Sequence, residues 1–245
     1  MFHLPFEDRI EAGRHLAAEF HLRHFVNNAI VLALTRGGVP VGFSVAERLC
    51  LPLDIIVAHK LRAPWQPEVA FGALAGDEIV LDKQMTAELA LSAGELEEIT
   101  TREEADTRHQ EQTFREGAPA LDVEGRPVLL IDDGLATGNT MLAAIRYVRS
   151  LKAAKVIVGV PVGSQEACAR ICKEADELVC LTAPEQFFAI GEWYRDFEQV
   201  HDAEVRMLLS RNRRQIQRLS SLGAEALPAD VTPEREVRTR WLVRR

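Results

Sequence analysis

Long apolar runs are missing from this chain. No stretch approaches the roughly 18 to 20 residues that a helix needs to cross a bilayer, so no membrane span is expected. The opening residues, MFHLPFEDRIEAG, lack the charged-then-apolar pattern of a secretion signal, and the expected location is the cytoplasm. Cysteine is scarce. Cys50, Cys168, Cys172 and Cys180 are too few and too irregular for a disulfide scaffold or a paired zinc site. Cys168 and Cys172 stand one helical turn apart, but without a neighbouring histidine pair they read as buried thiols. Positive charge is short as well. A formal net charge of −8 argues against general nucleic-acid binding. The deficit is uneven: residues 206–245 hold ten arginines and four acids, which leaves −14 on the remainder. The Arg-rich end reads as a solvated extension or end helix, with contact to an acidic partner or a phosphate as the alternative.

What is present suits a globular protein. Apolar residues make up 47% and charged residues 27% of 245, close to the soluble average. That length suits one domain with an appendage. Short apolar runs at Ala29–Leu34, Leu53–Ala58, Val128–Ile131, Val156–Val160 and Leu178–Leu181 read as buried strands. Helical patterns fall between or beside them, at residues 7–26, 41–49, 164–174 and 201–220, and in the stripe Met141, Ile145, Val148. The alternation predicts an α/β fold: an open, mostly parallel twisted sheet with helices on both faces. The strand that ends at Asp133 is expected to be central, beside the one that ends at Leu34. Residues 69–82 look like a hairpin turning at Gly76-Asp77. Ser92 and Glu95 make a capping box, and the charged stretch from there to Glu116 reads as a solvated helix or a mobile arm. Residues 1–222 are taken as the domain. Residues 223–245, rich in Pro, Ala and charge, are expected to pack poorly.

In an open α/β sheet, ligands sit beyond the carboxyl ends of the strands, and two loops at such ends carry chemistry. VLLIDDGLATGNTM, residues 128–141, places two carboxylates, Asp132 and Asp133, at a strand tip. They suit vicinal hydroxyls, or a metal shared with them. The small residues that follow run into a helix N-terminus, where free N–H groups and the helix dipole favour a phosphate. Thr137 and Thr140 add hydroxyl donors. Sugar grip and phosphate cradle together have the size of a ribose 5-phosphate. No Gly-Lys-[Ser/Thr] follows, so this is no Walker loop. The second loop, Thr35-Arg36-Gly37-Gly38-Val39-Pro40, offers glycine backbone and an arginine to an anion.

With these motifs the chain resembles the type I phosphoribosyltransferases. The 128–141 string looks like their phosphoribosyl pyrophosphate signature, apart from Gly134, where an aliphatic residue is usual. ALTRGGVPV looks like their pyrophosphate loop. Residues 6–209 as a whole resemble a bacterial group of predicted phosphoribosyltransferases, through FEDRIEAG, PLDIIVAHKLRAP and WYRDFEQV among other segments. The resemblance implies Mg²⁺-dependent transfer of phosphoribosyl to a base or other nitrogen acceptor, with release of pyrophosphate. It implies that Asp132 and Asp133 are the catalytic pair, holding the ribose hydroxyls and Mg²⁺. Ala136, Thr137, Gly138, Asn139 and Thr140 would take the 5-phosphate. Thr35, Arg36, Gly37, Gly38 and Lys60 would take the pyrophosphate, with Arg62 a weaker candidate. It also implies a cis peptide at Thr35–Arg36 and a hood built from residues 1–28 and 184–200. Within the hood, PEQFF resembles the segment of hypoxanthine-guanine enzymes whose phenylalanine stacks on the base; Phe187 matches by one alignment and Phe188 by another. Trp193 and Tyr194 read as packing residues, and His59 as a loop histidine near the site. Two departures count against 6-oxopurines: Ala136 replaces an acidic residue, and Val162 stands near the base-recognising lysine. The acceptor is therefore left unspecified. A non-catalytic nucleotide-binding regulator with the same fold is the alternative. Expected partners are phosphoribosyl pyrophosphate and a small-molecule acceptor, with a homodimer left open and neither membrane nor nucleic acid.

Overall fold

The computed structural model describes residues 4–21 and 28–221. In chain order the elements begin with α1 (Arg9–His21), β1 (Ile30–Leu34), α2 (Gly38–Leu49) and β2 (Leu53–Ile56). The strands β3 (Ala58–Ala63), β4 (Gln66–Ala75) and β5 (Glu78–Leu81) follow, then the helices α3 (Lys83–Glu88) and α4 (Ala93–Arg115). The remainder is β6 (Pro127–Ile131), α5 (Asn139–Ser150), β7 (Lys155–Val162), α6 (Gln165–Glu174), β8 (Glu177–Thr182) and α7 (Asp202–Ser221).

Five strands form a parallel sheet in the order β2-β1-β6-β7-β8. The strand leading into Asp132 and Asp133 is central and lies beside the one ending at Leu34, as the apolar runs predict. Alternation along each strand builds two cores. Val31, Ala33, Leu129 and Ile131 face Leu16, Phe20, Val41 and Phe43 on one side. Ile30, Leu32, Val128 and Leu130 face Met141, Ile145 and Val148 on the other. A sheet buried on both faces explains why its strands read as unbroken apolar runs.

Two elements extend what the sequence predicts. The hairpin at Gly76-Asp77 is present, but β3 joins it, giving a three-stranded antiparallel sheet, β3-β4-β5. The sequence AHKLRA has no apolar run to announce a strand, because β3 buries only Leu61 and Ala63. Of the two readings of the charged stretch to Glu116, the solvated helix is the one the structure shows. It is the helix α4, which buries Ile99, Thr100, Thr107 and Phe114. Its end is fastened by Arg115, which donates to Asp54 at 2.9 Å and to the Ile55 carbonyl at 3.0 Å. Ser92 and Glu95 do form the capping box at its start. Replacing Ser92 by Ala should lower stability by about 1 kcal/mol, read as a shift in the urea midpoint at unchanged slope. The Arg-rich segment 223–245 lies outside the described residues.

Candidate active site

Because β1 and β6 are adjacent and parallel, the loops after them leave the sheet at the same carboxyl edge. Between them opens a cavity of about 630 Å³. Asp132, Asp133, Ala136, Thr137, Gly138 and Thr140 line it, together with Thr35 and Gly37. His59, Lys60 and Arg62 from β3, with Arg102 and Glu103 from α4, line it as well. The two sheets thus meet at the site, and α4 is part of it. The helix α5 starts directly after Gly138, whose φ of 78° turns the chain from the loop into the helix. Its first N–H groups therefore face back toward the loop that carries Thr137, and Thr140 stands in its own first turn.

The acidic pair is held from below. Arg9 of α1 donates through Nε to Asp133 at 2.9 Å, with both side chains about one-tenth exposed. The Arg9 guanidinium lies 3.8 Å from the Phe197 ring centre and donates to the Glu198 carbonyl at 2.8 Å. Tyr194 donates its hydroxyl to the Asp133 carbonyl at 2.6 Å. The Asp133 amide donates to the Asp132 carboxylate at 2.9 Å. Burial pushes the Asp132 carboxyl well above the usual carboxylate range, and the neighbouring Asp133 adds to the rise. Burial raises Asp133 too, against the pull of Arg9. Such a pair is suited to a cation or to hydroxyl donors.

The glycines are matched to this pair. A Cβ on Gly37 would lie 2.1 Å from the Asp133 Oδ2, and one on Gly38 would lie 2.8 Å from the Asp132 Cα. Gly37→Ala must displace the carboxylate or the loop. It should lower stability by about 1 to 3 kcal/mol, a drop in melting temperature of roughly 2 to 12 °C. The Thr35–Arg36 peptide is cis.

Several residues singled out in the sequence do not line the cavity. Arg36 lies against α7 instead, donating to Asp202 at 2.6 Å. Asn139 accepts from Arg170 at 2.9 Å, and Gly38 backs the acidic pair. Phe187 packs against the main core, whereas Phe188 is 80% exposed. At that end of the cavity the lining residue is Ile190. Its Cγ2 stands 2.8 Å from where a Gly134 Cβ would lie, so this side chain takes the space an aliphatic residue at 134 would fill. Tyr194 packs as expected, stacking on Phe197 at 5.1 Å. His59 is a strand residue rather than a loop residue, and it bonds Glu103 at 2.8 Å. Sequence reasoning missed Arg9, Arg102, Glu103 and Ile190. Nothing local marks them, since each reaches the site from a distant element.

Residues 6–196 match the model of the phosphoribosyl transferase domain, and the chain belongs to that family. Its fold is the type I phosphoribosyltransferase fold, a mostly parallel sheet with a small antiparallel one. Two Mycobacterium tuberculosis proteins, each described as a "putative phosphoribosyl transferase", are 40% identical over 225 residues. The match covers 91% of this chain and 50% of theirs, so the chain spans about half the length of the curated relatives it matches. The crystal structure of TT1426 from Thermus thermophilus is 37% identical, with a TM-score of 0.71, over 84% of this chain and 98% of that one. Among the described residues, no helix is long and apolar enough to cross a membrane.

Proposed function

We propose that the chain is a phosphoribosyltransferase that takes phosphoribosyl pyrophosphate with Mg²⁺, passes the phosphoribosyl group to a nitrogen acceptor and releases pyrophosphate. The observation that carries this reading is the placement of the acidic pair, both glycine-bearing loops and Lys60 around one cavity. Asp132 and Asp133 accept from the ribose hydroxyls. The backbone of 136–140 and the two threonine hydroxyls bind the 5-phosphate, while Thr35 to Gly38 and Lys60 hold the pyrophosphate. Arg36 reaches it by exchanging Asp202 for the incoming anion. A departing pyrophosphate needs donors and cations, and of these residues Thr35, Gly37 and Lys60 already line the cavity.

The donor set also fits Mg²⁺. Among the described residues no cluster of three or more His, Cys, Asp or Glu forms a cage. Mg²⁺ is usually held by one or two carboxylates together with substrate phosphates, and Asp132 with Asp133 offers that arrangement. When bound, the ion would neutralise charge on the leaving group.

Within this reading, residues 4–9 and 190–198 belong to the hood. They are joined by Phe6 donating to the Trp193 carbonyl at 2.9 Å and Arg195 donating to the Phe6 carbonyl at 2.8 Å. The expected hood, residues 1–28 and 184–200, also takes in α1, whose Leu16 and Phe20 pack in the main core; its residues 1–3 and 22–27 lie outside the described ones. Phe187 and Phe188 are proposed acceptor-side residues of the hood, and the cytoplasm is the proposed location. The test is pyrophosphate release from phosphoribosyl pyrophosphate and Mg²⁺ across a panel of bases and amines. Acceptor-dependent release supports the transferase. Tight binding with no turnover on any acceptor favours the regulator reading.

A further inference from the structure

Behind the phosphate loop lies a group of thiols that the proposed reaction does not use. Cys168, on α6, is half-buried, and Cys180, on β8, is buried. The two thiols are near enough for each to shift the other's proton affinity, and Cys180 donates to the Thr182 carbonyl at 3.1 Å. Both sulfurs crowd the same point. A Cβ on Gly163 would lie 2.7 Å from the Cys168 sulfur and 3.6 Å from the Cys180 sulfur. The absence of a side chain at 163 is what lets the pair meet there. Contact with Cys180 moves the Cys168 thiol below its ordinary range, whereas Cys180 itself is pushed well above. One thiol is thus the readier thiolate and the more exposed, and its neighbour is in reach.

The other side of Gly163 is the ligand loop. The same Cβ position stands 3.2 Å from the Leu135 Cβ, and Gly163 bridges to Leu135. The Ser164 amide donates to the Leu135 carbonyl at 2.8 Å, and the Ser164 hydroxyl to the Ala136 carbonyl at 2.7 Å. From the next turns of α6, Arg170 donates to the Thr137 carbonyl at 2.8 Å and to Asn139. The loop 135–139 therefore hangs from the helix that carries Cys168. A disulfide between Cys168 and Cys180 requires the sulfurs to close to about 2.05 Å, which draws α6 toward β8 and pulls on that loop.

We propose that Cys168 and Cys180 are a redox modification site, oxidised by a hydroperoxide to a disulfide that weakens ligand binding at the 135–139 loop. The step balances. The Cys168 thiolate attacks one oxygen of hydrogen peroxide and becomes a sulfenic acid; the hydroxide that leaves takes up the proton the thiol gave up and departs as water. The Cys180 thiol then displaces a second water as the S–S bond forms. Two thiols lose two protons and two electrons, and one hydrogen peroxide becomes two waters. The binding half of the proposal rests on the reading of this site as one for phosphoribosyl pyrophosphate; the chemical half does not.

The experiment treats the full chain with hydrogen peroxide and maps disulfides by peptide mass spectrometry before and after reduction. Isothermal titration with phosphoribosyl pyrophosphate and Mg²⁺ runs beside it. The expected result is a reducible Cys168–Cys180 link and an affinity loss of about tenfold, the scale of one hydrogen bond to a charged group. Both changes should be absent in Cys168→Ser, and Cys180→Ser gives a second check. A link that maps to Cys50 or Cys172, or peroxide that leaves both thiols free, overturns the proposal. So does a Cys168–Cys180 link with unchanged affinity. Should the reduced protein not bind phosphoribosyl pyrophosphate, the transferase reading fails by itself. Hydrogen exchange over residues 135–140 then decides the coupling, with faster exchange in the oxidised protein supporting it and equal exchange refuting it.

Discussion

Asp132→Asn is expected to melt higher than the parent at neutral pH and to bind phosphoribosyl pyrophosphate roughly 10- to 150-fold more weakly, the loss of an ionised acceptor to a hydroxyl. The two changes run in opposite directions for one reason. In the empty protein, burial and the adjacent Asp133 raise the proton affinity of the Asp132 carboxyl above that of an unfolded aspartate. The folded state therefore binds more protons than the unfolded state between the two values. Stability is fullest below the unfolded value and falls as pH rises through the raised one. Asparagine removes that loss while keeping the Oδ1 that accepts from the Asp133 amide. The melting temperature of the variant should therefore depend less on pH between mild acid and neutrality than that of the parent. Melting curves across that range, with titration of the ligand, measure both. A variant that melts lower and binds as tightly as the parent makes Asp132 a structural cap.

Asp133 behaves differently, although the sequence treats the two acids alike. Its carboxylate is the partner of Arg9, so Asp133→Asn leaves a guanidinium without its anion and should destabilise. The stronger case is the other half of the pair. Arg9→Met should lower stability by about 3 to 5 kcal/mol, the usual result of removing one member of a buried ion pair. With Arg9 absent, Asp133 takes up a proton more readily, since burial already raises it and Arg9 opposes the rise. A protonated Asp133 needs no cation. The loss should therefore be smaller at about pH 5 than at about pH 8, with stability falling across that window as the folded carboxyl gives up its proton. Chemical denaturation at both pH values checks this. An equal loss at both would mean that Arg9 acts by packing on Phe197 and not through charge.

The parallel sheet was legible because burial on both faces forces apolar runs, and β1, β6 and β8 fall within a residue or two of where those runs place them. The acidic pair was legible because two adjacent carboxylates at an apolar strand tip have few structural explanations. The rest was hidden for identifiable reasons. The strand β3 carries His59, Lys60 and Arg62 toward a cavity rather than a core, so its pattern is polar. The helix α4 is charged along most of its length and docks through four scattered buried residues and Arg115. Arg9 is one arginine in an amphipathic helix until the fold brings it 124 positions along the chain to Asp133. Ile190 and Gly134 show the same limit: an apparent departure in one motif is filled by a side chain from another segment.

The measurement that bears most directly on the central claim is isothermal titration of the parent and Asp132→Asn with phosphoribosyl pyrophosphate in the presence of Mg²⁺. The site described predicts that the parent binds and that the variant binds roughly 10- to 150-fold more weakly. Equal affinities, or a parent that gives no binding, would contradict it.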